Sequence, residues 1–477
     1  MKKLALILVF VVVVASFGGC SPDNQQSDSQ KNTSNSESSS SSSAASSEKI
    51  TLRFWMRDSD DQGWPFQFFR KFNSSQDKIE VIAEPYGENY FNMINMALAS
   101  NDAPEIFEAQ DNPPVVTLAK AGHIIPIDDL FDDAFKAKFH PSAFAQKDLY
   151  YEGKLYSVPN RFSAYKLLYN KTLFKAAGLD PEEPPKTWEE VREYAKKITE
   201  AGKGNFYGFG LYVNYQNVWL RHVDVPIVSQ GEGGMTGFDY ITGKFDFSNS
   251  KKYFDYWVEL YNDGSIFPGA LSLGVEQMRA NFAQGMVGMT IDGNWMSSQY
   301  SKTEGVVADW TACEIPVFEG EKTAKSYMVG EETFVIAKNN KYLEDTKKIY
   351  KDMVNSQPFN RENGDAQCKT MLEANTEESY AKLPKDITFV ALKECNRIDN
   401  NAAFSVEPHK FITVEGDDRN TVFTKLLASA FDGDNSGFDE AISDLNTRYN
   451  DALKKALEKG VITQNDLQPK GFDYFNR

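Results

Sequence analysis

The chain has 477 residues, 13% of them aromatic, and a formal net charge of -17. That length allows two domains with substantial cores, and the acidic balance repels nucleic acid and anionic lipid headgroups at long range, which argues against a nucleic-acid partner. The four histidines (His123, His140, His222 and His409) share no metal-ligand spacing, and Cys313, Cys368 and Cys395 are too few and too scattered for a disulfide framework, so they read as buried thiols.

Lys2 and Lys3 precede an unbroken apolar run from Leu4 to Ala15, then Ser16, Phe17, Gly18, Gly19 and Cys20. A charged start, a short apolar stretch and small residues describe a secretory signal peptide over residues 1–19. The run is shorter than the ~20 residues that span a bilayer. Its end resembles the lipobox of bacterial lipoproteins, with Phe17 where leucine is usual. That resemblance implies a lipidated Cys20 as the mature N-terminus. Loss of the two lysines with the leader takes the charge from -17 to -19. Residues 20–48 are mostly polar, with Ser38 to Ser43 unbroken. Such a segment buries too little apolar surface to order itself and reads as a flexible tether. No second long apolar run follows.

The folded body is expected from Lys49. Lys49 to Met56 reads as a strand, Trp64 to Asn73 as an aromatic-rich helix and Lys78 to Glu84 as a second strand. Tyr90, Met93, Ile94, Ala97 and Leu98 share one helical face, and Glu105 to Ala109 is a short third strand. This alternation predicts a parallel sheet covered by helices, an α/β fold.

A second unit starts after Val158. Thr187 and Glu190 form a capping box ahead of the apolar stripe Trp188, Val191, Ala195 and Ile198, with Gly202 as the stop. Gly231, Gly233, Gly234 and Gly237 miss the dinucleotide-binding pattern and read as a flexible loop. Phe254, Trp257, Val258 and Tyr261 mark another helix, ending at Asp263-Gly264. Met278 and Phe282 close a short helix, Met286 to Ile291 is a strand, and Asp292-Gly293-Asn294-Trp295 is a strand-to-helix loop. Phe423, Leu426, Leu427 and Ala430, then Phe438, Ala441, Leu445, Tyr449 and Leu453, mark two final helices.

Enzyme motifs are missing: there is no metalloprotease helix, phosphate-binding loop, nucleophile elbow or paired-cysteine motif. Asp432, Asp434, Ser436 and Gly437 resemble half of a calcium loop, but Ser443 stands where a bidentate glutamate is needed, so a helix-helix turn is the better reading. Asp58-x-Asp60-x-Gln62-Gly63 fails in the same way, with Phe69 at its twelfth position. Glu108 with Asp111, Glu331 with Glu332, or Asp58 with Asp61 are carboxylate pairs of the kind a glycosidase uses, on abundance alone. No catalytic residue, metal or cofactor is assigned.

A binding role has more support. Trp55, Arg57 and Asp58, then Gln110 and Asp111, then Asp292 and Trp295, then Glu331 and Glu332, all fall just after expected strands. In open α/β sheets ligands bind beyond the carboxyl ends of strands. Aromatic rings stack on the C-H faces of a sugar, and carboxylates, amides and guanidinium groups satisfy its hydroxyls.

The whole body resembles the family-one extracellular solute-binding proteins of bacterial ABC importers. Four stretches carry the likeness: Asn101 to Ile106; Gly122 to Leu130; Lys154 to Pro159 with Leu168 to Phe174, Ala177 to Leu179 and Pro185 to Glu190; and Phe282 to Met289 with Gly293 and Trp295. Glu105 stands where aspartate is usual and Val287 where lysine is usual. The resemblance implies a bilobal periplasmic-binding-protein-like fold, with lobe 1 over 49–162 and 328–370 and lobe 2 over 163–327 and 371–477. It implies crossings near Arg161 to Tyr165, near Met328 to Gly330 and between 365 and 380. It also implies a ligand cleft to which Arg161, Tyr165 and Trp219 contribute beside the strand-end residues. The expected partners are a carbohydrate, an oligosaccharide foremost, and the transmembrane subunits of a permease, with a monomeric receptor held to the membrane by its lipid anchor alone. A secreted glycoside hydrolase, or a receptor for an acidic or cationic solute, are the alternatives.

Overall fold

The computed structural model describes residues 49–57, 61, 63–109, 113–136, 144, 149–158, 161–215, 217–293, 296, 309–322, 326–331, 333–356, 401–402, 408–460, 462–468 and 472–474. The leader, Cys20, the tether, Cys368, Cys395, His140 and the third crossing lie outside them.

The first lobe is built on strands β1 (Ile50–Met56), β2 (Ile79–Pro85) and β3 (Ile106–Ala109), with helices α1 (Trp64–Ser75), α2 (Tyr90–Ala99) and α3 (Val115–Ala121) between and after them. β1 pairs parallel with β2 and with β3, as the β-α-β-α-β order requires. Alternation places Leu52, Phe54 and Met56 in one apolar cluster with Phe66 and Phe69 of α1. Trp55 and Phe107 face the opposite cluster with Tyr90, Ile94, Ala97 and Leu98 of α2. The four-residue helix α4 (Asp133–Lys136) and a hairpin of β4 (Tyr150–Tyr151) and β5 (Lys154–Leu155) lead out of the lobe.

Strand β6 (Arg161–Asn170) is the centre of the second sheet. Asn170 ends it and caps α5 (Lys171–Ala176), accepting from the amides of Thr172 and Leu173 at 3.0 and 3.2 Å. Helix α6 (Trp188–Gly202) carries the expected capping box, and Trp188, Val191, Ala195 and Ile198 are fully buried. Its left-handed residue is Lys203 rather than Gly202. After β7 (Tyr207–Phe209) the chain makes a π-helical turn over Leu220–Asp224, in which the Val225 amide reaches the carbonyl of Leu220, five residues back. Helix α7 (Val225–Gln230) continues it.

The glycine cluster that follows is packed, not a flexible loop. A β-carbon on Gly234 would meet the Phe238 carbonyl at 2.5 Å, and one on Gly237, at φ +75°, the Phe247 ring at 2.3 Å. The hairpin β8 (Phe238–Asp239) and β9 (Lys244–Phe245), helices α8 (Ser250–Asn262) and α9 (Val275–Ala283), and strands β10 (Val287–Gly293) and β11 (Trp310–Cys313) complete this stretch. β10 runs to Gly293, so Asp292 and Gly293 lie in the strand rather than in the expected loop.

Strand β12 (Ser326–Glu331) pairs antiparallel with the start of β6, and β13 (Thr333–Ile336) pairs antiparallel with β3 in the first sheet. The chain therefore returns to the first lobe between Glu331 and Thr333, where α10 (Leu343–Asn355) follows. The two sheets have the orders β13-β3-β1-β2 and, with β14 (Asn401–Ala402), β14-β12-β6-β10-β7, with β11 also on β6. Helices α11 (Arg419–Phe431) and α12 (Phe438–Glu458) close the second lobe. The segment between them is the expected helix-helix turn, with Asp434 accepting from the Ser436 amide at 3.0 Å.

Candidate functional site

The parallel strands of each lobe end at the side where the chain crosses. In the first sheet Trp55 lies opposite Phe107 and Thr333 opposite Ala109, so β1 and β3 finish where β13 begins. The two crossing strands meet there too, with Arg161 directly paired with Glu331. In the second sheet β10 runs antiparallel to β6, setting Gly293 against Tyr165, and parallel to β7. The carboxyl ends of β1, β3, β7 and β10 thus all point to the crossings, the place where an open α/β sheet receives a ligand.

On the first-lobe side, Arg57 is exposed and its guanidinium lies 5.7 Å from the Phe91 ring centroid. Its amide donates to the buried Glu108 carboxylate at 2.8 Å. The Tyr90 hydroxyl donates to the Glu108 carbonyl, and burial followed by that carboxylate holds its phenol well above the usual range. Trp55 keeps 8% of its surface exposed, donates its indole N–H to Glu84 Oε2 at 2.9 Å and packs on Tyr86 at 4.7 Å. Glu108 therefore braces β1 against β3, and Asp61, nominated with Asp58 as another carboxylate pair, sits against Arg70 at 3.1 Å.

The second-lobe side is built around a buried cation. Arg221, turned inward by the π-helical turn, reaches Asp292 at 2.7 Å and donates to the hydroxyls of Tyr212 and, at 3.4 Å, Tyr215. The rings of Tyr215, Tyr212 and Tyr165 surround its guanidinium at 5.0, 5.5 and 5.6 Å. Such cation–π contacts strengthen when desolvated. Arg279 grips the same carboxylate through two bonds of 2.8 and 2.9 Å. Burial alone raises the Asp292 pKa, but the two guanidinium groups outweigh it and hold the carboxyl below its usual range. The Tyr212 hydroxyl in turn donates to the Ile291 carbonyl at 3.0 Å, tying the cluster to the end of β10.

Two of the expected contact residues lie inside the core. Trp219 is fully enclosed, with its N–H on Asp224 at 2.9 Å and its ring against Phe423 and Phe247 at 5.4 and 5.5 Å, so it offers no face to a ligand here. Asp292 is 1% exposed with both oxygens held by arginines. Tyr165 is buried against Arg221, and the partly exposed Tyr215 is the ring of the cage that reaches the surface. Arg161 and Glu331 are placed by their backbones alone. Asp58, Gln110, Asp111, Trp295 and Glu332 lie outside the described residues. Arg221, Arg279, Tyr212 and Tyr215 escaped sequence reading because Arg221 and Arg279 stand 71 and 13 positions from Asp292 and share no motif with it.

A separate concavity of about 340 Å³ opens where β3 begins and β13 ends, lined by Leu98, Asn101, Ala103, Gly122, His123 and Lys338 among others. Among the described residues no helix is long and apolar enough to cross a membrane, and no His, Cys, Asp and Glu side chains cluster as metal ligands.

A family model described as bacterial extracellular solute-binding protein matches residues 59–352. A putative binding protein of Brucella abortus is 27% identical over 243 residues, 49% of this chain and 54% of that one. A sn-glycerol-3-phosphate-binding periplasmic protein of the same organism is 27% identical over 290 residues, 56% of this chain and 62% of that one. The chain thus spans about half to three fifths of the length of these relatives. Among solved structures, a chain from a study of xylan utilization by Caldanaerobius polysaccharolyticus superposes with a TM-score of 0.66 at 18% identity, over 84% of this chain and all of that one. The GacH receptor of Streptomyces glaucescens, solved unliganded and with acarbose, gives 0.64 at 19% over 85% and 99%. The cyclic α-maltosyl-1,6-maltose binding protein of Arthrobacter globiformis gives 0.62 at 17% over 85% and 100%. At these identities the likeness is one of fold: two α/β lobes joined by crossing strands.

Proposed function

The chain belongs to the bacterial extracellular solute-binding proteins, and from that premise we propose that it is the receptor of an ABC importer, capturing a carbohydrate between its lobes and handing it to the membrane subunits. The observation that carries this is the convergence of four strand ends, two from each lobe, on the crossing strands. A solute held there touches both lobes and binds their closed arrangement better than the open one, which drives closure. The exposed guanidinium of Arg57 and the partly exposed ring of Tyr215 supply the mixed polar and aromatic surface that a sugar needs. The sugar-binding structural neighbours support an oligosaccharide. The glycerol-phosphate-binding relatives favour a second reading, a phosphorylated polyol.

The discriminating experiment is a thermal-shift panel of neutral oligosaccharides, uronates, sn-glycerol 3-phosphate and polyamines, joined to mass spectrometry of what the purified protein releases on denaturation. Stabilisation by a saccharide supports the proposal. Stabilisation by glycerol phosphate or a polyamine alone replaces it. The lipid anchor has its own test: Cys20→Ser should move the protein from the membrane fraction to the medium, and a variant that stays membrane-bound refutes anchoring through that thiol.

A further inference from the structure

Arg221 is the largest charged side chain wholly inside the described core, 1% exposed, and it stands on a π-helical turn. Such turns are rare, occur mostly as single features within α-helices and are frequent at functional sites. The turn aims Arg221 at three separate pieces of the second-lobe site. It holds Tyr165 in the middle of the crossing strand β6, the segment carrying Tyr212 and Tyr215, and through Asp292 the end of β10. Arg279 brings α9 to the same carboxylate from the other side. A lysine in place of Arg221 keeps the charge but has no planar fork to satisfy Asp292 and the tyrosines together.

We propose that Arg221 is a positioning residue: its guanidinium presets the second-lobe half of the ligand site by fixing Tyr165, Tyr215 and the carboxyl end of β10 in one arrangement before solute arrives. The inference rests on the solute-receptor reading for its consequence, since a preset half-site lowers the ordering cost of binding. It predicts that ligand affinity depends on Arg221 although the side chain is too enclosed to touch the ligand.

The test compares Arg221→Lys, and the milder Tyr212→Phe, with a first-lobe core variant such as Phe54→Leu at a temperature where all remain folded. Amide hydrogen exchange of the unliganded proteins is read at residues 165–170 and 287–293. The expected result is exchange about tenfold faster at those strands in Arg221→Lys, a smaller acceleration in Tyr212→Phe, and none there in the control. Affinity for the saccharide found by the thermal-shift panel should fall about tenfold in Arg221→Lys and stay unchanged in the control. Unchanged exchange at both strands, or equal acceleration in the control, overturns the positioning role. If no saccharide binds the wild type, the carbohydrate reading fails, and the exchange data still decide whether Arg221 positions the strands. Should Arg221→Lys fail to fold, Tyr212→Phe carries both readouts, and its indifference in both refutes the proposal.

Discussion

His222 and Asp224 stand two positions apart on the π-helical turn, both fully enclosed, and they bend the pH dependence of folding in opposite directions. Burial pushes the His222 imidazole down to about 3, only partly opposed by its bond to the Val218 carbonyl. Its stability contribution is therefore present at neutral pH and lost as pH falls below the ordinary histidine range, where the unfolded chain takes up a proton and the fold does not. Burial pushes the Asp224 carboxyl up to about 6, with Arg419 and the Trp219 N–H pulling it back. Here the fold binds the proton more tightly, so stability rises as pH falls through about 6. Between about pH 7.5 and about pH 5 the histidine costs about 2 kcal/mol and the aspartate returns about 1 kcal/mol. Asp224→Asn should remove the compensation and make the protein more acid-labile over that interval. Urea unfolding at the two pH values measures it, and an equal or shallower pH dependence in the variant contradicts the assignment. Asp292→Asn removes the carboxylate that Arg221 and Arg279 share, leaving Arg279 its exposed partner Glu276, and should lose about 3 kcal/mol in the same assay at neutral pH. A loss below about 1 kcal/mol would mean that the arginines find other partners. At this scale the strand-end rule singled out Arg57 and Asp292, and the family resemblance Tyr165; Asp292 and Tyr165 meet at the Arg221 guanidinium. The rule did not show that Asp292 would be sealed between arginines, because those come from distant segments that only folding assembles.

Element by element, periodicity carried most of the fold. The stripes of α2, α6, α8, α11 and α12 lie where apolar spacing put them, and Thr187 and Glu190 form the capping box that their spacing required. Thr187→Ala should cost about 1 kcal/mol by leaving the Glu190 amide without its side-chain acceptor, and chemical denaturation checks it. Three departures have local causes. Tyr261 shares the α8 spacing but is 39% exposed, stacking on Phe431 at 3.7 Å at the rim of the core. Asp292 and Gly293 read as a loop because an acid and a glycine weaken a strand, yet the two arginines neutralise the acid in place and β10 continues. The glycines from 231 to 237 read as a flexible loop because composition does not reveal packing. Gly237→Ala should therefore destabilise by about 2 kcal/mol or more, combining left-handed backbone with a clash against Phe247. Loss of less than about 0.5 kcal/mol would show that the turn yields freely.

For the whole molecule, the order of strands and helices was enough to read an α/β body, and the two lobes and their crossings came from the family resemblance; β6 begins near Arg161 and β12 ends near Gly330, at the edge of the second sheet's run of chain. The site was legible as a location, the carboxyl ends of strands, and not as a set of contacts, because which strand ends face the crossings depends on sheet order. Solute that binds the fold and not the unfolded chain stabilises it by mass action, about 2.7 kcal/mol at a hundred times its Kd. The central claim, that a saccharide sits between the lobes, is tested most directly by titrating the purified protein with the sugar it releases on denaturation while following melting temperature. A saturable rise in Tm that scales with the logarithm of sugar concentration is the predicted result. No rise with any saccharide, together with a rise for glycerol phosphate or another solute class, would contradict it.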